Sequence, residues 1–157
     1  HGLGADADVK DVQAVSPLPG QVTVYVLSRS GTGAASPELL DAVTAALNAE
    51  RVRPMTDQVT VLSASIVNYT ITAELVLYPG PAPEVVRQAA EDAVTAYAEA
   101  QRRIGYDVTL SGLYAALHQP GVQRVNLTAP AANLTIADGQ ASHCTAISVT
   151  VAGAVDV

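Results

Sequence analysis

A long stretch of alternating apolar and polar residues, from Val59 to Leu77, constrains the fold more than any other feature of the chain. Every odd position in it is apolar except Ser63 and Ser65, and a period of two is that of a β-strand with one buried face. Roughly twenty residues exceed the usual length of one strand. The stretch therefore predicts two strands, or one bent strand, with the change of direction near Ser63 to Ser65.

Helix signals flank this stretch on both sides. Ser36, Pro37 and Glu38 form a typical helix start, because they supply a cap, a preset backbone angle and a negative charge at the positive end of the helix dipole. This first helix is predicted to run to about Arg51. Its apolar stripe is expected to consist of Leu40, Val43 and Leu47.

The strongest helical pattern follows the proline-rich breaker at residues 78–83 and runs from Glu84 to Ile104. Its predicted seam is made mostly of alanine, which lets a helix lie close to a sheet or to another helix. The seam residues are Val86, Ala90, Ala93, Tyr97, Ala100 and Ile104. A shorter helix is predicted to begin at Thr109–Leu110. Its apolar face is expected to consist of Leu110, Leu113, Tyr114 and Leu117.

Strands are also predicted near both ends of the chain. Two of them, joined by the turn at residues 16–20, cover Val9 to Leu27, and others follow at Val122 to Thr128 and at Cys144 to Val151. The resulting order predicts an α+β fold, with a mainly antiparallel sheet and helices packed on one face. It also allows a split β-α-β unit around residues 21–104. We expect a main α+β domain at residues 1–106 and a smaller helix-strand subdomain at 107–157 packed on it.

Composition argues against several function classes. The formal charge is −7 with no cluster of Lys or Arg, so nucleic acid is not an expected partner. No apolar run approaches the roughly 20 residues of a membrane span, so a membrane is not expected either. Only 4% of the residues are aromatic, which lowers the expectation of a small-molecule pocket. Cys144 is the single cysteine, so an intrachain disulfide is impossible.

Few residues suggest chemistry. The Gly31–Thr32–Gly33 loop precedes a helix but lacks the spacing of a phosphate-binding fingerprint. Asp6, Asp8 and Asp11 lack the glycine and the terminal glutamate of a calcium-binding loop. His118 and the pair His143–Cys144 do not have zinc-ligand spacing, and neighbours on a strand point to opposite faces. We therefore predict no catalytic residue, metal site or cofactor.

Several segments resemble one known family. They are Leu110–Val125 (LSGLYAALHQPGVQRV), Val52–Asp57 (VRPMTD), Leu75–Gly80 (LVLYPG), Val24–Gly33 (VYVLSRSGTG) and Cys144–Gly153 (CTAISVTVAG). Together they make the chain similar, over nearly its whole length, to the baseplate J-like proteins of contractile-tail phages. The similarity rests on many ordinary residues in order and not on a catalytic signature.

The resemblance implies a structural, non-enzymatic subunit of the phage tail baseplate wedge, present in several copies. Such a subunit joins neighbouring wedges into a ring through contacts with other wedge subunits and with copies of itself. It would assemble in the cytoplasm of the bacterial host and end in the virion tail. Family members are longer, so we expect a C-terminal fragment that begins at His1.

If the chain works by contact, its helices and the loop at residues 129–141 are the expected contact surfaces. The candidate interface residues are Val86, Ala90, Ala93, Tyr97, Leu113, Tyr114 and Leu117. Two alternatives remain open. A small hydrolase would bring His118 or His143 to a carboxylate or to Cys144 in a cleft. A host-surface or glycan-binding domain would gather its tyrosines into one exposed patch.

Overall fold

The computed structural model describes residues 7–50 and 58–154. Its strands and helices follow one another in the order that the sequence predicts, and the α+β class is confirmed. In chain order the elements are β1 Val9–Val15, β2 Gln21–Ser28, α1 Pro37–Glu50, β3 Gln58–Ser63, β4 Ser65–Leu77, α2 Pro83–Ala100, α3 Leu110–Leu117, β5 Val122–Ala129 and β6 Gln140–Ala154. None of the described helices is both long enough and apolar enough to cross a membrane.

The described strands form two sheets and not the single sheet expected from the sequence. One has the order β1-β2-β3 and the other the order β5-β4-β6. β1 pairs with β2 and β4 pairs with β5 in antiparallel fashion, whereas β2 and β3 are parallel. A β-α-β unit is therefore present, formed by β2, α1 and β3. Its two strands are direct neighbours, so it is not of the split form.

The alternating stretch breaks where the two serines predicted it, at Ala64 between β3 and β4. Ser63 Oγ accepts a hydrogen bond from the Ala35 N–H at 2.8 Å, so its side chain holds the loop before α1. The Ala64 N–H donates to the Val26 carbonyl and the Ser65 N–H to the Gly139 carbonyl, both at 2.8 Å. Ser63 therefore interrupts the apolar pattern at a position where its side chain makes a specific hydrogen bond.

The chain divides into two compact units, and the division differs from the predicted domains 1–106 and 107–157. Unit 1 contains the chain up to Val67 together with Arg103–Tyr106 and Ile136–Ser142. Unit 2 contains Asn68–Arg102, Asp107–Thr135 and the chain from His143 onward. The physical reason is that α2 buries its side chains in the same core as α3 and β5. It therefore belongs with the C-terminal elements.

In unit 1, α1 covers the sheet through a core of aliphatic residues. The Leu39 N–H donates to Ser36 Oγ at 3.2 Å, which confirms the predicted cap. Among the helix side chains that the structure describes, Leu39 and Val43 are buried in this core, while Leu40 and Leu47 are half-buried beside it. The buried stripe thus begins one residue earlier than predicted. The helix continues to Glu50, and the predicted end at Arg51 lies outside the described residues.

Unit 1 is completed by residues distant in sequence. The Gln13 side chain donates to Asp138 Oδ1 at 3.2 Å and accepts from the Gly139 N–H at 2.8 Å. The Gly105 N–H donates to the Gln140 carbonyl at 2.9 Å. A small core of Leu27, Ala64, Ile104 and Ala141 lies beside these bonds. Residues 103–106 and 136–142 are therefore structural parts of this unit.

In unit 2, α2 packs through a different seam from the one predicted. The buried residues of the helix are Val86, Ala90, Val94 and Ala98, at regular steps of four. A four-residue row is inclined to the helix axis and is the commonest ridge in helix packing, whereas the predicted steps of three and four follow the axis. Ala93 and Tyr97 consequently lie at the edge of the seam and Ala100 is exposed. Ile104 lies beyond the helix, in unit 1.

The C-terminal elements follow the sequence prediction closely. Thr109 caps α3 by accepting a hydrogen bond from the Gly112 N–H at 3.1 Å. β5 and β6 occupy the predicted segments and extend beyond them. The short strand considered near Leu134 is a single bridge to Val108.

Tyr69 on β4 is a polar residue in an otherwise apolar core. Its side chain is 8% exposed, and its hydroxyl has no hydrogen-bond partner among the described residues. Burial raises the pKa of this phenol, because a phenolate would lose its hydration. The hydroxyl therefore costs desolvation energy that no hydrogen bond returns.

We expect Tyr69→Phe to raise the free energy of unfolding by about 1 kcal/mol, because it removes an unsatisfied buried hydroxyl. The matched control is Tyr97→Phe. Tyr97 Oη accepts from the Thr109 N–H at 3.2 Å, so removal of this hydroxyl should lower the free energy of unfolding by about 1 kcal/mol. Urea titration followed by circular dichroism measures both. A clear loss of stability in Tyr69→Phe would contradict this assignment.

Candidate protein-contact surfaces

The structure places most of the predicted interface residues inside unit 2. Val86 is 5% exposed, and Ala90, Leu113 and Leu117 are fully buried in the core against β4. These four are occupied within the chain itself, so a partner cannot reach them. Among the predicted residues, only Tyr114, at 41%, counts as exposed. The sequence pattern identified helix faces correctly as apolar but did not distinguish an internal contact from an external one.

Tyr97 and Ala93 lie at the margin of this core and are half-buried. The Tyr97 hydroxyl contacts both the N–H and the hydroxyl of Thr109, at 3.2 and 3.3 Å. A Cβ on Gly112 would lie 2.5 Å from Cζ of the Tyr97 ring. The ring therefore rests directly on the backbone of α3. Its role in the free chain is to join α2 to α3.

Exposed apolar side chains in unit 2 concentrate at the start of α2. Tyr78 is 42% exposed and Val85 is 68% exposed. The Tyr78 N–H donates to the Gly121 carbonyl at 2.9 Å, and a Cβ on Gly121 would lie 3.3 Å from Pro81. The segment from Tyr78 to Val85, here called the proline knuckle, is thus held in place while its side chains face solvent. In the described part of unit 1, the exposed large apolar residues are Leu18, Leu62 and Tyr106.

The outward face of α2 is acidic next to the proline knuckle. Arg87 lies between Glu84 and Glu91 and donates to both carboxylates, with 3.0 Å from Nε to Glu84 Oε1. The hydrogen bonds from Arg87 lower the pKa of Glu84, because they stabilise its ionised form. These neighbours are a solvated helix network and not a paired-carboxylate active site.

The histidine and cysteine side chains do not form a nucleophile and base. Burial raises the pKa of Cys144, and its thiol donates to the Ala146 carbonyl at 3.3 Å. A thiol with a raised pKa is a poor nucleophile. Burial lowers the pKa of the neighbouring His143, and the positive charge of Arg102 lowers it further. His118 is exposed at the C-terminal cap of α3.

The carboxylates considered for calcium are occupied by donors of the protein. Asp8 accepts from the hydroxyls of Ser28 and Ser30, both at 2.6 Å, and these bonds lower its pKa. Asp11 accepts from the Ile104 N–H at 3.0 Å. Asp6 lies outside the described residues. In the described part of the chain, no three His, Cys, Asp or Glu side chains are grouped to hold a metal ion.

Polar groups in the two remaining loops also form hydrogen bonds within the chain. Asn133, in the loop at residues 129–141, accepts from the Leu110 N–H at 2.8 Å. The Gly33 carbonyl accepts from the Ser28 N–H at 2.7 Å, which folds the Gly31–Gly33 loop back onto β2. Among the described residues, the surfaces that remain accessible to a partner are the proline knuckle, the outward face of α2, Tyr114, and the edges of the two sheets.

Comparisons with known proteins identify the family of the chain. Residues 1–63 match the model of the baseplate J-like central domain, and residues 69–150 match that of the baseplate J-like protein C-terminal domain. The chain is 52% identical over 153 residues to "Baseplate protein J" of Escherichia phage P2. That alignment covers 98% of this chain and 51% of the relative, so the chain spans about half the relative's length.

A solved structure shares the fold. The cryo-EM structure of the anti-feeding prophage baseplate contains a chain that matches with a TM-score of 0.59 and 17% sequence identity. The match covers 94% of this chain and 35% of the other. The C-terminal domain model alone covers more than half of the chain, and the relative is identical at more than half of the aligned positions. The chain belongs to the family of baseplate J-like proteins.

Proposed function

We propose that this chain is part of a structural subunit of a phage tail baseplate wedge and that it works by protein contact. The observation that carries the proposal is the 52% identity to baseplate protein J of phage P2 across nearly the whole chain. The proposed location is the baseplate of the virion tail, after assembly in the host cytoplasm.

The proposed partners are other wedge subunits and further copies of the same protein, which together close a ring. Contact surfaces on rigid elements suit this role. The proline knuckle and Tyr114 present apolar side chains from segments that are fixed by backbone hydrogen bonds. Exposed aromatic and aliphatic side chains of this kind are typical anchors of protein interfaces.

We propose no catalytic activity for the chain. The strongest nucleophile candidate, Cys144, has a thiol that burial keeps protonated, and its hydrogen bond is to a backbone carbonyl.

The tyrosines do not support a glycan-binding alternative either. Tyr69 is buried and Tyr97 is fixed against α3, so these two cannot join an exposed aromatic patch.

A chimera tests the proposed function. The aligned half of the phage P2 relative would be replaced by this chain, and tails would be examined by electron microscopy and mass spectrometry. We expect complete tails that contain the chimera. The matched control carries Tyr78→Asp and Val85→Asp, which place charge on the proline knuckle without touching the core. Tails that assemble normally with the chimera absent from them would contradict the proposal.

A further inference from the structure

The outer edge of β6 is an unusual sheet edge. In the order β5-β4-β6, one side of β6 bonds to β4, and no described strand pairs with its other side. The strand is 15 residues long, contains no proline, and contains no Asp, Glu, Lys or Arg. Its only titratable side chains are His143 and Cys144, and both have pKa shifts that favour the neutral form.

Proteins normally protect exposed edges with charge, proline or a short strand, because an open edge invites pairing with another strand. The opposite edge of this sheet, β5, carries Arg124 in the middle of the strand, and the edge strand β1 carries Lys10 and Asp11. β6 has none of these devices. The start of β6 is engaged within the chain, because the Gly105 N–H donates to the Gln140 carbonyl at 2.9 Å. Farther along the strand, the backbone groups of the outer edge have the spacing that an added extended strand requires.

We propose that β6 pairs through this edge, in antiparallel fashion, with β6 of a second copy of the chain. The inference rests on the proposed function, in which copies of the protein adjoin one another. It extends that function by naming the surface and the geometry of one such contact.

The residues of β6 are self-complementary. Val149 is buried and Ile147 and Val151 are half-buried against the core of unit 2, whereas Ser148, Thr150 and Ala152 are exposed. The Thr150 hydroxyl donates to the Ala73 carbonyl at 3.5 Å. A twofold axis perpendicular to the sheet keeps each side chain on its own face. If the axis passes at Val149, Ile147 lies opposite Val151 and Ser148 lies opposite Thr150. Apolar residues then meet apolar residues, which are favourable cross-strand pairs, and the small uncharged residues Ser148 and Thr150 meet without opposing like charges.

Charge also favours a second copy as the occupant. The chain carries a formal charge of −7, so two copies repel each other over most of their surfaces. Along β6 there is no side chain to place like charges opposite each other. An uncharged, self-complementary edge is the place where two acidic copies can meet without that cost.

Equilibrium sedimentation of the 157-residue chain tests the pairing. We expect a reversible dimer, and we expect Ser148→Lys/Thr150→Lys to weaken it by about tenfold or more, because lysines would face each other at two places. Two controls should leave the dimer intact. Ser148→Ala/Thr150→Ala removes the hydroxyls without adding charge, and Thr70→Lys/Thr72→Lys adds the same charge to the exposed face of the central strand β4.

Amide hydrogen exchange of the unmodified chain gives a second readout that does not depend on a variant. Exchange at residues 145–151 should slow as protein concentration rises. A monomer at the highest concentration, or a dimer that the lysine pair leaves unchanged, would overturn the pairing. This outcome can be distinguished from failure of the proposed function. If the proposed function is wrong, the chimera is excluded from tails. If the chain is monomeric but the chimera still enters tails, only the β6 contact is rejected.

Discussion

Gly139→Ala is expected to lower the free energy of unfolding by about 3 kcal/mol. Alanine is strained in the left-handed backbone conformation of this residue, and its methyl group would overpack the space beside it. Gly139 has a φ of +74°, and a Cβ there would lie 2.7 Å from Cε1 and Cζ of the Tyr25 ring. The ring cannot simply retreat, because Tyr25 packs against the small core that holds residues 136–142 in unit 1. Thermal and urea unfolding of the purified variant measure the loss.

Gly31 supplies the matched control for this experiment. It also has a positive φ, of +60°, but a Cβ there would meet no atom within 4 Å. Gly31→Ala should therefore show the backbone strain alone, about 1 kcal/mol. If the two variants lose the same stability, the contact between Gly139 and Tyr25 does not constrain unit 1.

Gly112→Ala in α3 should lower stability by about 2 kcal/mol, although alanine is normally the better helix residue by about 1 kcal/mol. A Cβ at this position would lie 2.5 Å from Cζ and 2.6 Å from Cε1 of Tyr97. The ring would have to leave α3, and it would then lose its hydrogen bonds to Thr109. Chemical unfolding with a double-mutant cycle measures this coupling.

The control in the same helix is Ser111→Ala, an exposed position where alanine should be neutral or slightly stabilising. In a Tyr97→Leu background, the loss of stability caused by Gly112→Ala should largely disappear, because the aromatic ring that the alanine methyl group would contact is absent. A penalty that persists without the tyrosine would show that α3 itself, and not its contact with α2, requires the glycine.

The sequence predicted the elements of this fold well because their signals are local. The break of the long alternating stretch, the Ser36 cap, the start of α3 at Leu110 and the α+β class are all confirmed. The two compact units differ from the predicted domains because they depend on contacts between residues distant in sequence. Nothing near Asp138 or Gly139 indicates that both are held by Gln13.

The contact surface could be predicted only in part. Helical periodicity shows that a face is apolar, but a buried face and a docking face give the same pattern. Leu113 and Leu117 therefore looked like interface residues and are core residues. The sequence at residues 78–83 was read as a breaker alone, although Tyr78 and Val85 of the proline knuckle are exposed apolar side chains. The uncharged edge of β6 could have been noticed as a 15-residue stretch without Asp, Glu, Lys or Arg.

The central claim is that this chain acts by fitting other proteins, and amide hydrogen exchange tests it most directly. Exchange would be compared between the free chain and the same residues of the chimera in purified, assembled tails. We predict slower exchange at surface segments, including residues 78–85 and the edge of β6, with the core elements unchanged. Equal exchange in both states at every surface segment would contradict the account.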